Sequence, residues 1–180
     1  MHETVGPAPD EDPVEHYLQV LGDKTGSLIA TAGRFGAMFA GCSDEVIDVM
    51  VSYGERVGVA FQLADDVIDL SSASGQSGKT PGTDLREGVP TLPVLLVRRA
   101  ALGGDASAQA VVALLDNDLG EDARLAEAVY ALGEHRATVA ARDEAARWAR
   151  NAVEALAPLP EGPAKQALRQ FAEAVVDRTR

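Results

Sequence analysis

Val59-Ala60-Phe61-Gln62-Leu63-Ala64-Asp65-Asp66-Val67-Ile68-Asp69-Leu70 sets three carboxylates and one amide into an otherwise apolar run. As a helix, it stacks Asp65 and Asp69 one turn apart on one face, with Asp66 three residues before Asp69. Gln62 falls on the turn before Asp65 and joins that face. Val59, Phe61, Leu63, Val67, Ile68 and Leu70 fill nearly every other side, and a helix apolar almost all round is a buried one. Carboxylates so placed repel one another and lose solvation unless something cationic compensates them. A hard divalent ion does that by accepting carboxylate oxygen, and Mg²⁺ is the usual one where diphosphates are involved. An exposed acidic stripe on a surface helix is the competing explanation, but the apolar flanks leave it almost no room.

Working outward, the run closes a long helix predicted over residues 44–70, with Ser43 or Asp44 as its cap and Glu45 in its first turn. Upstream, Leu28, Ile29, Phe35, Met38 and Phe39 recur at turn spacing between small residues. Interior glycines cost a helix about 1 kcal/mol each relative to alanine, so Gly26, Gly33, Gly36, Gly54 and Gly58 predict helices pressed close together. Residues 1–13 form an acidic, proline-rich lead-in, and helical periodicity begins near Val14. Downstream, residues 71–90 are the one long interruption. Helices are then predicted over 91–102, 106–115, 122–132, 137–156 and 162–178. No strand alternation or fixed repeat is visible. The fold class is all-α.

Composition agrees. Of 180 residues, 46% are hydrophobic but only 4% aromatic, so the core is built from Ala, Leu and Val. The length suits one domain with a sizeable core. With 28 acidic and 16 basic residues the net charge is −12, a field that disfavours nucleic acid. One cysteine, Cys42, excludes an internal disulfide framework and a Cys-cluster zinc site. That fits a reducing, cytoplasmic location. The N-terminus lacks the order of a signal peptide, and no apolar run reaches the roughly 18 residues that span a bilayer.

Gly78-Lys79-Thr80 invites a phosphate-loop reading, but that motif needs a glycine where Ala73 stands, and a preceding strand. Lys79 can still close on an anion as a point charge. Lys24-Thr25 is predicted to open a helix, where orphan N–H groups and the dipole favour an oxyanion. Cys42 is expected to be buried or half-buried, and Trp148 and Phe171 to lie in the core. His2, His16 and His135 show no ligand spacing.

Jointly these segments resemble the C-terminal half of the trans-isoprenyl (polyprenyl) diphosphate synthase family. The family's second aspartate-rich motif, Phe-Gln-x-x-Asp-Asp-x-x-Asp, matches Phe61 through Asp69. Gly78, Lys79, Asp84, Leu85, Gly88, Thr91, Leu92 and Pro93 match the segment that follows it. Tyr17, Leu18, Lys24, Thr25, Gly26 and Leu28 match the one before it. The resemblance runs from about Asp12 to the C-terminus. It implies a helical bundle of the isoprenoid-synthase type, with N-terminal helices missing and residues 14–180 forming its C-terminal part. Asp65, Asp66 and Asp69 would then hold Mg²⁺ against an allylic prenyl diphosphate. Lys24, Thr25 and Lys79 would contact that diphosphate, and Phe61 and Gln62 would face isopentenyl diphosphate and the reacting centre. Two departures stand out. Val89 occupies a position where many relatives carry lysine, and nothing before Tyr17 matches the first aspartate-rich motif.

The implied activity is Mg²⁺-dependent condensation of isopentenyl diphosphate with an allylic diphosphate. The partner would be a second copy or a complementing synthase half. Two other readings stay open: a non-catalytic helical subunit of a complete synthase, and an isoprenoid cyclase or other prenyl-transferring relative.

Overall fold

Asp12 accepts the Val14 N–H at 2.8 Å and Pro13 takes the first helical position, so the chain enters α1 (Pro13–Leu21) already capped. The structure, a computed structural model, describes residues 6–71 and 81–178, and every regular element among them is a helix. A π-helical turn (Gly22–Gly26) leads into α2 (Ser27–Phe39), followed by α3 (Asp44–Asp69), α4 (Thr83–Arg86) and α5 (Leu92–Leu102). Then come α6 (Ala106–Leu115), α7 (Asp122–Glu134), α8 (Arg136–Ala155) and α9 (Pro163–Asp177). None of the described helices is long and apolar enough to cross a membrane. The chain divides into two compact units, Met1–Ala64 with Glu144–Arg180, and Asp65–Asp143.

In the first unit α2 and α3 run antiparallel at very short range. A methyl added at Gly54 would lie 2.7 Å from Ala30 Cα, and one at Gly58 would lie 2.8 Å from Gly26 Cα. The glycines are therefore spacers that let two backbones touch. Tyr53, Val57 and Ala60 of α3 pack with Ala149 and Ala152 of α8 and with Ala172 and Val175 of α9. The Tyr53 hydroxyl donates to Leu168 O at 2.8 Å, and burial pushes its phenol up to about 12. Lys165 is buried, and its ammonium donates to Leu159 O (2.7 Å) and Ala157 O (3.2 Å), satisfying carbonyls between α8 and α9.

Two core expectations fail in this unit, those for Cys42 and Phe171. Cys42 is exposed in the turn after α2. Phe171 faces outward from α9, 53% exposed, because Ala172 and Val175 supply that helix's buried stripe. Trp148 does pack against the core, partly buried, with its Nε1–H held at the edge by Glu144 at 2.9 Å. On α2, Leu28, Phe35, Met38 and Phe39 are all exposed, and the two phenyl rings stand 6.3 Å apart.

In the second unit α5 packs on α6 and α6 on α7. Leu85, Val97, Ala108, Leu125, Ala128 and Leu132 form the heart of its core. Asp105 starts α6 by accepting the N–H groups of Ser107 (2.9 Å) and Ala108 (3.3 Å). The Ser107 hydroxyl, with those amides and Arg136, holds its carboxyl down to about 2. Helix α4 was not expected, since its four residues are too short to show a period.

The small-residue crossing gives a two-sided prediction. Gly54→Ala should destabilise the chain by about 2 kcal/mol, because overpacking against Ala30 outweighs the gain in helix propensity. Gly36→Ala has no atom within 4 Å of the new methyl and should stabilise by up to about 1 kcal/mol. Urea denaturation measures both, and a stabilising Gly54→Ala would contradict the crossing.

Candidate functional site

Asp65, Asp66 and Asp69 occupy the last five residues of α3, where the helix macrodipole is negative and carboxylates are disfavoured. Part of the compensation for Asp66 and Asp69 comes from backbone N–H groups at the starts of later helices. Asp66 is 6% exposed, and its Oδ2 accepts the Leu92 N–H over a long 3.4 Å. Leu92 is the first residue of α5, and Thr91 before it has a capping backbone conformation but makes no side-chain cap. Asp69 Oδ2 accepts the Asp84 N–H at 3.1 Å, and its carbonyl oxygen accepts the Gly82 N–H at 2.8 Å. Helix α4 starts after Gly82, which has no side chain to cap with. Two acids of α3 thus do for α4 and α5 what local Ser, Thr or Asp residues usually do.

Among the described residues no three Asp, Glu, His or Cys side chains converge as a closed metal cage. Mg²⁺ does not require one, since it usually takes one or two carboxylates and completes its octahedron with water and phosphate oxygen. Asp66 and Asp69 each accept a backbone N–H through Oδ2, and a carboxylate oxygen can accept more than one interaction. The hard-oxygen donors at this helix end therefore fit that ion.

Phe61 and Gln62 lie one turn earlier on the same helix, both partly buried. Phe61 packs against the core of its unit, and the Arg178 guanidinium stands 5.2 Å from its ring centroid. Arg178 carries no local signal, since the contact joins α3 to the residue after α9. Lys24 and Thr25 belong to the first unit and do not open a helix. They sit inside the π turn, which continues α1 into α2 with helical backbone on both sides. The Ser27 N–H is used by Gly22 O, so the expected orphan donors are absent there. Wide π turns inside helices occur frequently at functional sites. Gly78, Lys79 and Thr80 lie outside the described residues.

His135 is a functional-looking group that spacing did not single out. Its Nδ1 accepts the Ala137 N–H at 3.1 Å, so the ring proton sits on Nε2 and points to Ser107 Oγ at 3.2 Å. Ser107 Oγ in turn donates to Asp105 Oδ1 at 2.8 Å. The composition is that of a nucleophilic triad, yet the proton relay runs away from histidine. It joins the starts of α6 and α8 and leaves the serine unactivated.

A polyprenyl synthetase family model matches residues 5–132. Nonaprenyl diphosphate synthase of Mycobacterium tuberculosis is 43% identical over 178 residues, which is 99% of this chain and 52% of that protein. Among solved structures, geranylgeranyl pyrophosphate synthase from Corynebacterium glutamicum, complexed with calcium and isoprenyl diphosphate, superposes with a TM-score of 0.88 at 41% identity. The match covers 99% of this chain and 55% of that one. A decaprenyl diphosphate synthase from Rhodobacter capsulatus gives 0.80 at 29% identity, covering 99% and 55%. The chain spans about half the length of the relatives it matches.

Remote capping makes Asp66 structural as well as acidic. Asp66→Ala should lower stability by about 1–2 kcal/mol in urea, while Asp66→Asn, which keeps an accepting oxygen, should lose less. An Asp66→Ala chain as stable as the original would contradict the cap.

Proposed function

Because the chain belongs to the polyprenyl synthetase family, we propose that it carries one wall of a prenyltransferase active site. The reaction condenses isopentenyl diphosphate with an allylic prenyl diphosphate to give a longer prenyl diphosphate. The observation that carries the proposal is the set of three carboxylates ending α3, two of which, Asp66 and Asp69, are anchored by N–H groups from α5 and α4. Asp65, Asp66 and Asp69 would hold Mg²⁺, which when bound supplies positive charge to the leaving diphosphate. Lys24, Thr25 and Lys79 would contact the same diphosphate. Phe61 and Gln62 would face the isopentenyl group.

In the chemistry proposed, the allylic C–O bond breaks and diphosphate leaves with the electron pair. The isopentenyl double bond supplies the electrons of the new C–C bond, and a proton leaves the neighbouring carbon. Apolar flanks of α3 such as Leu63 and Val67, both buried, would keep water from the cation.

The chain spans about half the length of the relatives it matches, and the activity is proposed for an assembly that also holds the rest of the family fold. The exposed α2 face of Leu28, Phe35, Met38 and Phe39 supports burial against a partner, whether a second copy or a complementing half. The same face favours the second reading, a non-catalytic subunit that partners a complete synthase.

Supplying the unmatched half from a related synthase should give Mg²⁺-dependent prenyl transfer, measured as chain-extended product. The 180-residue chain alone should turn over negligibly. Asp65→Ala with Asp66→Ala should cut the assembly's rate by about 10³-fold, as losses of transition-state charge stabilisation do. Full activity of that double variant would favour the subunit reading. No turnover from a folded assembly would overturn the proposal.

A further inference from the structure

The turn before α4 is tied to Asp69 twice. Gly82 donates its N–H to the Asp69 carbonyl at 2.8 Å, and two residues later Asp84 donates its N–H to Asp69 Oδ2 at 3.1 Å. Both bonds depend on the backbone of Gly82, with φ 78° and ψ 22°, a left-handed region that L side chains rarely enter. The turn is also wedged. A methyl at Gly82 would strike Val129 Cγ2 and approach Leu125 Cδ1 to 3.2 Å. Both residues are buried on α7 within the same core. A larger residue does not fit without moving α7 or the turn.

A carboxylate that accepts a fixed N–H has its plane held in a set direction. Such outer hydrogen bonds orient metal-ligating groups, and their loss typically lowers metal affinity about 10–100-fold. We propose that Gly82 is a positioning residue: its turn, wedged against α7, aims the Asp69 carboxylate through the Asp84 N–H. The packing of α7 and the cation affinity at the end of α3 are then coupled. The cation part rests on Asp69 as a metal ligand, as proposed above, whereas the hydrogen-bond part does not.

The experiment uses the 180-residue chain, with amide hydrogen exchange at Asp84 and a Mn²⁺ titration as two separate readouts. Gly82→Ala is expected to speed Asp84 exchange at least about tenfold and to weaken Mn²⁺ binding about tenfold. Should Gly82→Ala fail to fold, Gly82→Ala with Val129→Ala removes the atom that the new methyl meets and carries the same two expectations. Asp69→Asn should retain Asp84 protection, while Asp69→Ala should lose it. Val111→Ala, a core change in α6, should lower Tm and leave both readouts as they were, which separates positioning from general destabilisation. Unchanged Asp84 exchange in the Gly82 variant overturns the proposal whatever Mn²⁺ does. Faster exchange with unchanged Mn²⁺ affinity overturns the positioning role. If the unaltered chain binds no Mn²⁺ while exchange behaves as expected, Asp69 as a metal ligand is overturned, and the affinity half of the inference with it.

Discussion

Backbone N–H groups from the starts of α4 and α5 meet carboxylates at the negative end of α3, and that contact ties the end of α3 to α4 and α5 within the second unit. A hydrogen bond to a charged group contributes about 1.5–3 kcal/mol, while a buried carboxylate without partners costs more than that. The long Leu92–Asp66 bond falls at the weak end of the range, and the Asp84–Asp69 bond is the firmer of the two. The acids stabilise helix starts that have no cap of their own, and the helix starts stabilise acids set against the dipole of their own helix. Each side removes a penalty the other would suffer.

The first unit solves a different problem, a core with few large side chains. Its answer is proximity. Gly54 and Gly58 let α2 and α3 touch backbone to backbone, and alanines from α8 and α9 close the other side. A core of this kind gains its dispersion energy from short distance and not from bulk.

Much of this was legible in the chain. The helices over 106–115 and 44–70 follow from local periodicity, and the glycine spacing in α2 and α3 announced a close crossing. The acids at 65, 66 and 69 stood out because their neighbours are apolar. What stayed hidden is non-local. The partners of Asp66 and Asp69 lie 26 and 15 residues away, and the Arg178 contact with Phe61 joins helices far apart in sequence. Lys24-Thr25 reads as the opening of a helix, whereas the backbone carries α1 into α2 through a π turn over Gly22–Gly26. Cys42 and Phe171 were misplaced because residue type predicts burial only on average, and the side facing the core is set by neighbours such as Ala172.

The resulting picture is of a helix end whose carboxylates cap α4 and α5, with a diphosphate as the proposed ligand. The most direct test is crystallographic: the assembled protein grown with Mn²⁺ and inorganic diphosphate, with Mn²⁺ located by anomalous scattering. The account predicts a peak within about 2.5 Å of a carboxylate oxygen of Asp65, Asp66 or Asp69, with diphosphate on its far side. Bound diphosphate whose Mn²⁺ ions all lie away from these three residues would contradict it.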